Sequence, residues 1–195
     1  MNVPDGGDDH HDATGPNGLS VEFSIQPQVP GDAGNNATID EAVFKMLTLQ
    51  VTGDAASVST PNEIDLAWRQ DTMPDPVTFA SAPSGVYSKL SMRIDGQLTD
   101  NSYWINGHVI VNGTTYPFKI YDRDYLTVAL YPDTQLQPGG SARIGVQVQV
   151  DHALDSIDWT KVSNDDGTLT LDTFDSYMPT FRQKLVEAFA LVSVN

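Results

Sequence analysis

Apolar residues return at every second position along most of this chain, from Leu19 to about Leu171, and that period admits few folds. Successive side chains of a strand point to opposite faces, so a period of two means one face buried and one wet. Leu19, Val21, Phe23 and Ile25 form one such face, and Pro27, Pro30 and the stretch 31–36 end it in a loop. Val43, Lys45, Leu47, Leu49 and Val51 share a face of the next strand, with Phe44 and Met46 opposite. Further strands are expected at Ile64–Trp68, Val77–Phe79, Val86–Ile94, Leu126–Leu130, Ile144–Val150 and Leu169–Leu171. The sharpest local signal is Asn112-Gly113 between Ile105–Val111 and Thr114–Ile120, a dipeptide that takes the positive φ angles of a two-residue hairpin turn.

The period changes only near the end. Met178, Phe181, Leu185, Ala188 and Phe189 recur at three- and four-residue steps, which predicts an amphipathic helix over about 175–190. Asp175 and Ser176 are candidates to cap it, and Pro179 suits its first turn. Short strands separated by Gly, Pro, Asn and Asp turns predict a mainly β protein, an antiparallel β-sandwich carrying one C-terminal helix. A closed barrel is the alternative. No fixed-period repeat points to a propeller or solenoid.

At 195 residues, one domain accommodates the pattern, expected over 19–195 after a disordered polar tether at 1–18. That tether holds Pro, Gly, Asp and Asn, without a basic start or an apolar segment. The expectation is a mature part of an exported protein, with Met1 standing in place of a removed leader. No run reaches the ~20 apolar residues that would cross a bilayer as a helix. There is no cysteine, which excludes disulfides, thiolate metal sites and cysteine nucleophiles.

Net charge is −16, with 22 Asp, 4 Glu and only 10 Lys and Arg. Phosphate backbones and anionic lipids are bound through clustered cations, so nucleic acid and acidic membranes are not expected partners. Asp in excess of Glu suits a chain rich in turns and poor in helix. Hard cations also want several carboxylate oxygens, so calcium is the one cofactor the composition suggests. Its candidate ligands are Asp122 and Asp124 around Arg123, and Asp151, Asp155 and Asp158. The plainer reading makes them turn and cap residues. His10 and His11, among Asp8, Asp9 and Asp12, offer a second metal-binding pattern within the tether. His108 and His152 lack a second ligand at a recognised spacing.

Catalytic patterns are wanting. No serine lies in a strand-to-helix nucleophile elbow, and no glycine loop of phosphate-cradling form occurs. A hydrolase using two carboxylates stays open in so acidic a chain, although no pair is nominated. Tyr103 and Trp104 are adjacent on a strand and must face opposite ways, so one belongs to the core and the other offers an aromatic surface on which a sugar stacks.

Several turn signatures occur in a telling order: Ala82-Pro83-Ser84-Gly85-Val86-Tyr87, Leu126-Thr127-Val128-Ala129-Leu130, Gln137-Pro138-Gly139-Gly140-Ser141-Ala142, and Asp166-Gly167-Thr168-Leu169-Thr170. Over about residues 80–190 the chain thereby resembles uncharacterised bacterial envelope lipoprotein domains with immunoglobulin- or transthyretin-like sandwiches. The resemblance implies a non-enzymatic exported protein of the periplasm or cell surface, either lipid-anchored in its full-length form or free in the periplasm. The expected function is binding or adhesion, toward a protein or carbohydrate. A calcium-stabilised carbohydrate-binding domain, a hydrolase and a surface-fibre subunit are the other readings.

Overall fold

Strands dominate wherever β-branched and aromatic residues alternate with polar ones, as their packing on a pleated, half-buried surface requires. A computed structural model describes residues 18–34, 36–97 and 100–193. The chain runs β1 (Gly18–Gln26), β2 (Gly31–Asp32), β3 (Ala37–Gly53), β4 (Ser57–Ser59), β5 (Ile64–Trp68), β6 (Val77–Phe79), β7 (Gly85–Ile94) and β8 (Tyr103–Val111). It continues through β9 (Thr114–Asp122), β10 (Leu126–Leu130), β11 (Thr134–Leu136), β12 (Ser141–Gln149) and helix α1 (Val150–Leu154). A 3-10 turn (Trp159–Lys161), β13 (Ser163–Asp165), β14 (Thr168–Leu171), helix α2 (Met178–Glu187) and β15 (Phe189–Val192) complete it. The expected tether, His10 and His11 included, lies outside the described residues except for Gly18, which opens β1.

Two open sheets result, so the barrel alternative does not hold. The smaller has the order β15-β12-β1-β6; the larger follows β10-β7-β3-β8-β9-β14-β13, with β2, β4 and β5 on β3 and β11 on β7. Their inward faces share one hydrophobic cluster, in which Phe44, Tyr87, Tyr103, Phe118 and Phe181 are the most deeply buried aromatics. Phe44 lies 6.0 Å from Tyr103, stacked on it, and meets Trp68 and Phe189 edge-on. The architecture is that of a mainly β, two-sheet protein, consistent with a sandwich.

Three sequence expectations need correction. The sheets are mixed rather than antiparallel: β1 pairs β12 in parallel along its whole length, and β14 pairs β9 in parallel. Periodicity reports which face is buried and is silent about the direction of the neighbour. The terminal helix is shorter than expected, because Phe189–Val192 turns back as a strand against Gly145–Val148. Tyr177, not Asp175 or Ser176, precedes its first turn; Asp175 instead accepts from the Asp172 amide, while Pro179 does sit in the first turn.

The third correction concerns β3. Its inward residues are Ala37 and Ile39, then Ala42, Phe44 and Met46, then Leu49 and Val51. Irregularities between Ile39 and Glu41 and between Met46 and Thr48 each shift the phase. An extra residue at a bulge moves everything after it to the other face, so Val43 and Lys45 do not share a face with Leu49. The expected hairpin is present: Asn112 (φ 51°) and Gly113 (φ 80°) join β8 to β9.

Candidate functional site

Functional residues need positions where a ligand can reach polar groups and apolar surface together, and the acidic positions singled out in the sequence are mostly not placed so. Asp122 ends β9 and is wholly buried. Its carboxylate accepts from the Tyr103 hydroxyl at 2.8 Å, the Asp124 amide at 3.1 Å and two nitrogens of Arg182 on α2. Arg182 also reaches Asp124 Oδ2 at 2.9 Å and the Thr173 carbonyl at 2.9 Å. The structure thus brings Asp122 and Asp124 together, around a guanidinium. Burial pushes the Asp122 carboxyl up, but Arg182, Tyr103 and the Asp124 amide outweigh it and hold the group below the usual carboxylate range. Burial, with Asp122 beside it, pushes the Tyr103 hydroxyl strongly up.

The second acidic group stays dispersed. Asp151 lies on α1, with a buried Oδ1 that has no hydrogen-bond partner. Asp155 follows that helix and lines a shallow depression with His152, Lys184 and Glu187. Asp158 caps the 3-10 turn through the Thr160 amide and pairs with Lys161, which with Thr160 brings its carboxyl down to about 2. Among the described residues, no three His, Asp or Glu side chains converge as a metal site would need.

Trp104 is the half-exposed member of the Tyr103-Trp104 pair, on the outer face of the larger sheet. Its indole donates to Glu41 Oε2 at 3.1 Å, and Asn106 donates to the same oxygen at 2.7 Å. The neighbouring His108 pairs with Asp40, Nδ1 to Oδ2, at 2.6 Å. These contacts tie adjacent strands together across that face.

The cavity with the best claim lies elsewhere, where β1 runs out and β5 turns. It encloses about 830 Å³ and is lined by Ser24, Ile25, Gln28–Pro30 and Trp68–Met73. That volume falls within the about 300–1,000 Å³ of small-ligand sites. One wall comes from each sheet. Met73 is 65 % exposed at its rim, whereas Trp68 is 2 % exposed and its indole N–H has no acceptor. The far wall is a tight turn bridging Arg69 and Thr72, with Asp71 at φ 63°.

Proline shapes this cleft. β6 pairs antiparallel with β1 only over Val21↔Val77 to Leu19↔Phe79. Continuing the register would set Pro76 beside Glu22, Asp75 beside Phe23, Pro74 beside Ser24 and Met73 beside Ile25. The proline ring holds φ near −65°, well short of the extended strand value, so the Pro74-Asp75-Pro76 stretch leaves the sheet edge. No sequence signal other than these prolines marked the place.

No protein-family model matches the chain, and comparison with curated proteins and with solved structures finds no match either. What the fold defines is therefore the class: a mainly β, two-sheet protein with a short C-terminal helix.

Proposed function

We propose that the chain is a non-enzymatic binding module of the bacterial cell envelope, with an immunoglobulin- or transthyretin-like sandwich, and that its ligand occupies the cleft between β1 and the Arg69–Met73 turn. The observation that carries this reading is the cleft itself: a concave site at one end of the two sheets, bounded by loops and lined by apolar and polar side chains together. Its lining contains a single carboxylate, Asp71, which favours binding over hydrolysis by paired acids. Location in the envelope, with or without a lipid anchor, rests on the ordered turn signatures from Ala82 to Thr170.

Met73→Glu tests the cleft. The side chain is exposed, so the substitution leaves the core intact while placing a charge at the rim. Wild type and variant are compared on arrays of bacterial surface glycans and of displayed peptides. A profile changed in the variant, by loss or by strengthening of a wild-type signal, supports the reading; identical binding profiles overturn it.

A further inference from the structure

The backbone on one side of the cleft is unfinished, and this points to the chemistry of what it holds. Along a strand the N–H and C=O of one residue point to the same edge, and successive residues alternate between edges. The Gly18 amide donates to Gly140 O, so Gly18, Ser20, Glu22 and Ser24 direct their backbone groups toward β12. Leu19, Val21, Phe23 and Ile25 therefore direct theirs toward β6. Leu19 and Val21 meet β6; among the described residues no strand pairs with Phe23 or Ile25 on that side. Ile25 also lines the cleft, opposite the position from which Met73 is held away.

We propose, resting on the cleft reading above, that the ligand is an extended polypeptide segment of a partner protein that adds as a strand to the open edge of β1 and satisfies Phe23 and Ile25. Strand addition supplies main-chain hydrogen bonds for affinity and pockets for alternate side chains. Ile25, Val29, Pro30, Trp68 and Met73 supply the apolar pockets. A sugar fits less well, because Trp68 is too deeply buried to offer a ring face for stacking.

Charge narrows the partner. Asp71 and Asp75 stand exposed by the site, the cation in the lining, Arg69, is paired with Glu41, and the chain carries −16, so a second copy is repelled and a segment alternating apolar with basic residues is favoured. The paired prolines keep the chain's own Met73–Pro76 segment from occupying the edge that the partner takes.

The test uses the whole chain. A combinatorial library of short displayed peptides is panned against the protein. Enriched sequences are resynthesised and titrated into isotopically labelled protein, with amide exchange read at Phe23 and Ile25. The expected peptides alternate apolar and basic residues and protect both amides. Methylating peptide nitrogens on one edge should weaken binding by about tenfold or more, and methylating the other edge should not. Pro74→Thr/Pro76→Thr should let Met73–Pro76 zip onto β1, protecting both amides without peptide and cutting affinity by about tenfold or more.

No enrichment, binding that leaves Phe23 and Ile25 unprotected, or a double variant that binds like wild type overturns the proposal. Concentration-dependent self-association that protects the two amides assigns the edge to a second copy and overturns it too. If glycans bind and Met73→Glu abolishes that binding while no peptide binds, strand addition fails and the cleft reading survives. If Met73→Glu alters no binding, both fall.

Discussion

At Asp122 the protein holds a carboxylate wholly out of water, and three partners compensate its charge: Arg182, the Tyr103 hydroxyl and the Asp124 amide. Removing one partner of a buried pair leaves the other uncompensated, so Arg182→Leu should destabilise the fold by about 3–5 kcal/mol, read from the urea midpoint. Its pH dependence discriminates further. The folded carboxyl titrates below its unfolded value of about 3.9, so wild type gains stability from this site above that value and loses it as pH falls through the folded pKa. Without Arg182, burial is opposed only by the Tyr103 hydroxyl and the Asp124 amide, so the carboxyl should titrate higher than in wild type and the stability gained as pH rises above about 4 should shrink. A variant whose pH profile parallels wild type would show that the pair does not control this charge. The sequence marked Asp122 and Asp124 as neighbours, yet Arg182 lies sixty positions from Asp122, and no local pattern linked them.

Among the elements, the β8–β9 hairpin separates two uses of glycine. At Gly113 a Cβ would meet nothing within 4 Å, and only the positive φ resists it, so Gly113→Ala should cost about 1–2 kcal/mol. At Gly107, in the strand interior, a Cβ would lie 2.0 Å from Thr38 O and 2.8 Å from the Phe118 ring. Backbone and core must both shift, and the expected cost is about 1–3 kcal/mol. Hydrogen exchange tells the two apart: the turn variant should loosen only the hairpin tip, the strand variant also the β3–β8 pairing around Thr38. Equal, localised effects would refute the distinction. The turn was legible because two residues specify it. The close approach of β3 was not, since it depends on register across a long sequence separation.

For the molecule as a whole, the charge of −16 opposes compaction, and screening relieves it. The Debye length falls from about 30 Å at 0.01 M to about 8 Å at 0.15 M, so the unfolding midpoint should rise over that range. With Asp122 and Asp124 gathered on Arg182 and Asp158 on Lys161, sodium and calcium chlorides at matched ionic strength should raise it equally, and chelator should leave it unchanged. A calcium-specific increment would make the acidic loops ligands after all.

Alternation and turn chemistry determined, from sequence alone, that the chain is mainly β, where most strands lie, where the hairpin turns and that a helix lies near the C-terminus. These are local properties, written in spacings of a few residues. Strand direction, the two phase shifts of β3, the docking of Arg182 on Asp122 and the cleft were decided only by the tertiary structure. Each depends on which distant segment becomes a neighbour. Pro74 and Pro76 show the division within one site: their fixed φ is readable from the sequence, but that they leave Phe23 and Ile25 without a strand follows only once β6 is seen beside β1.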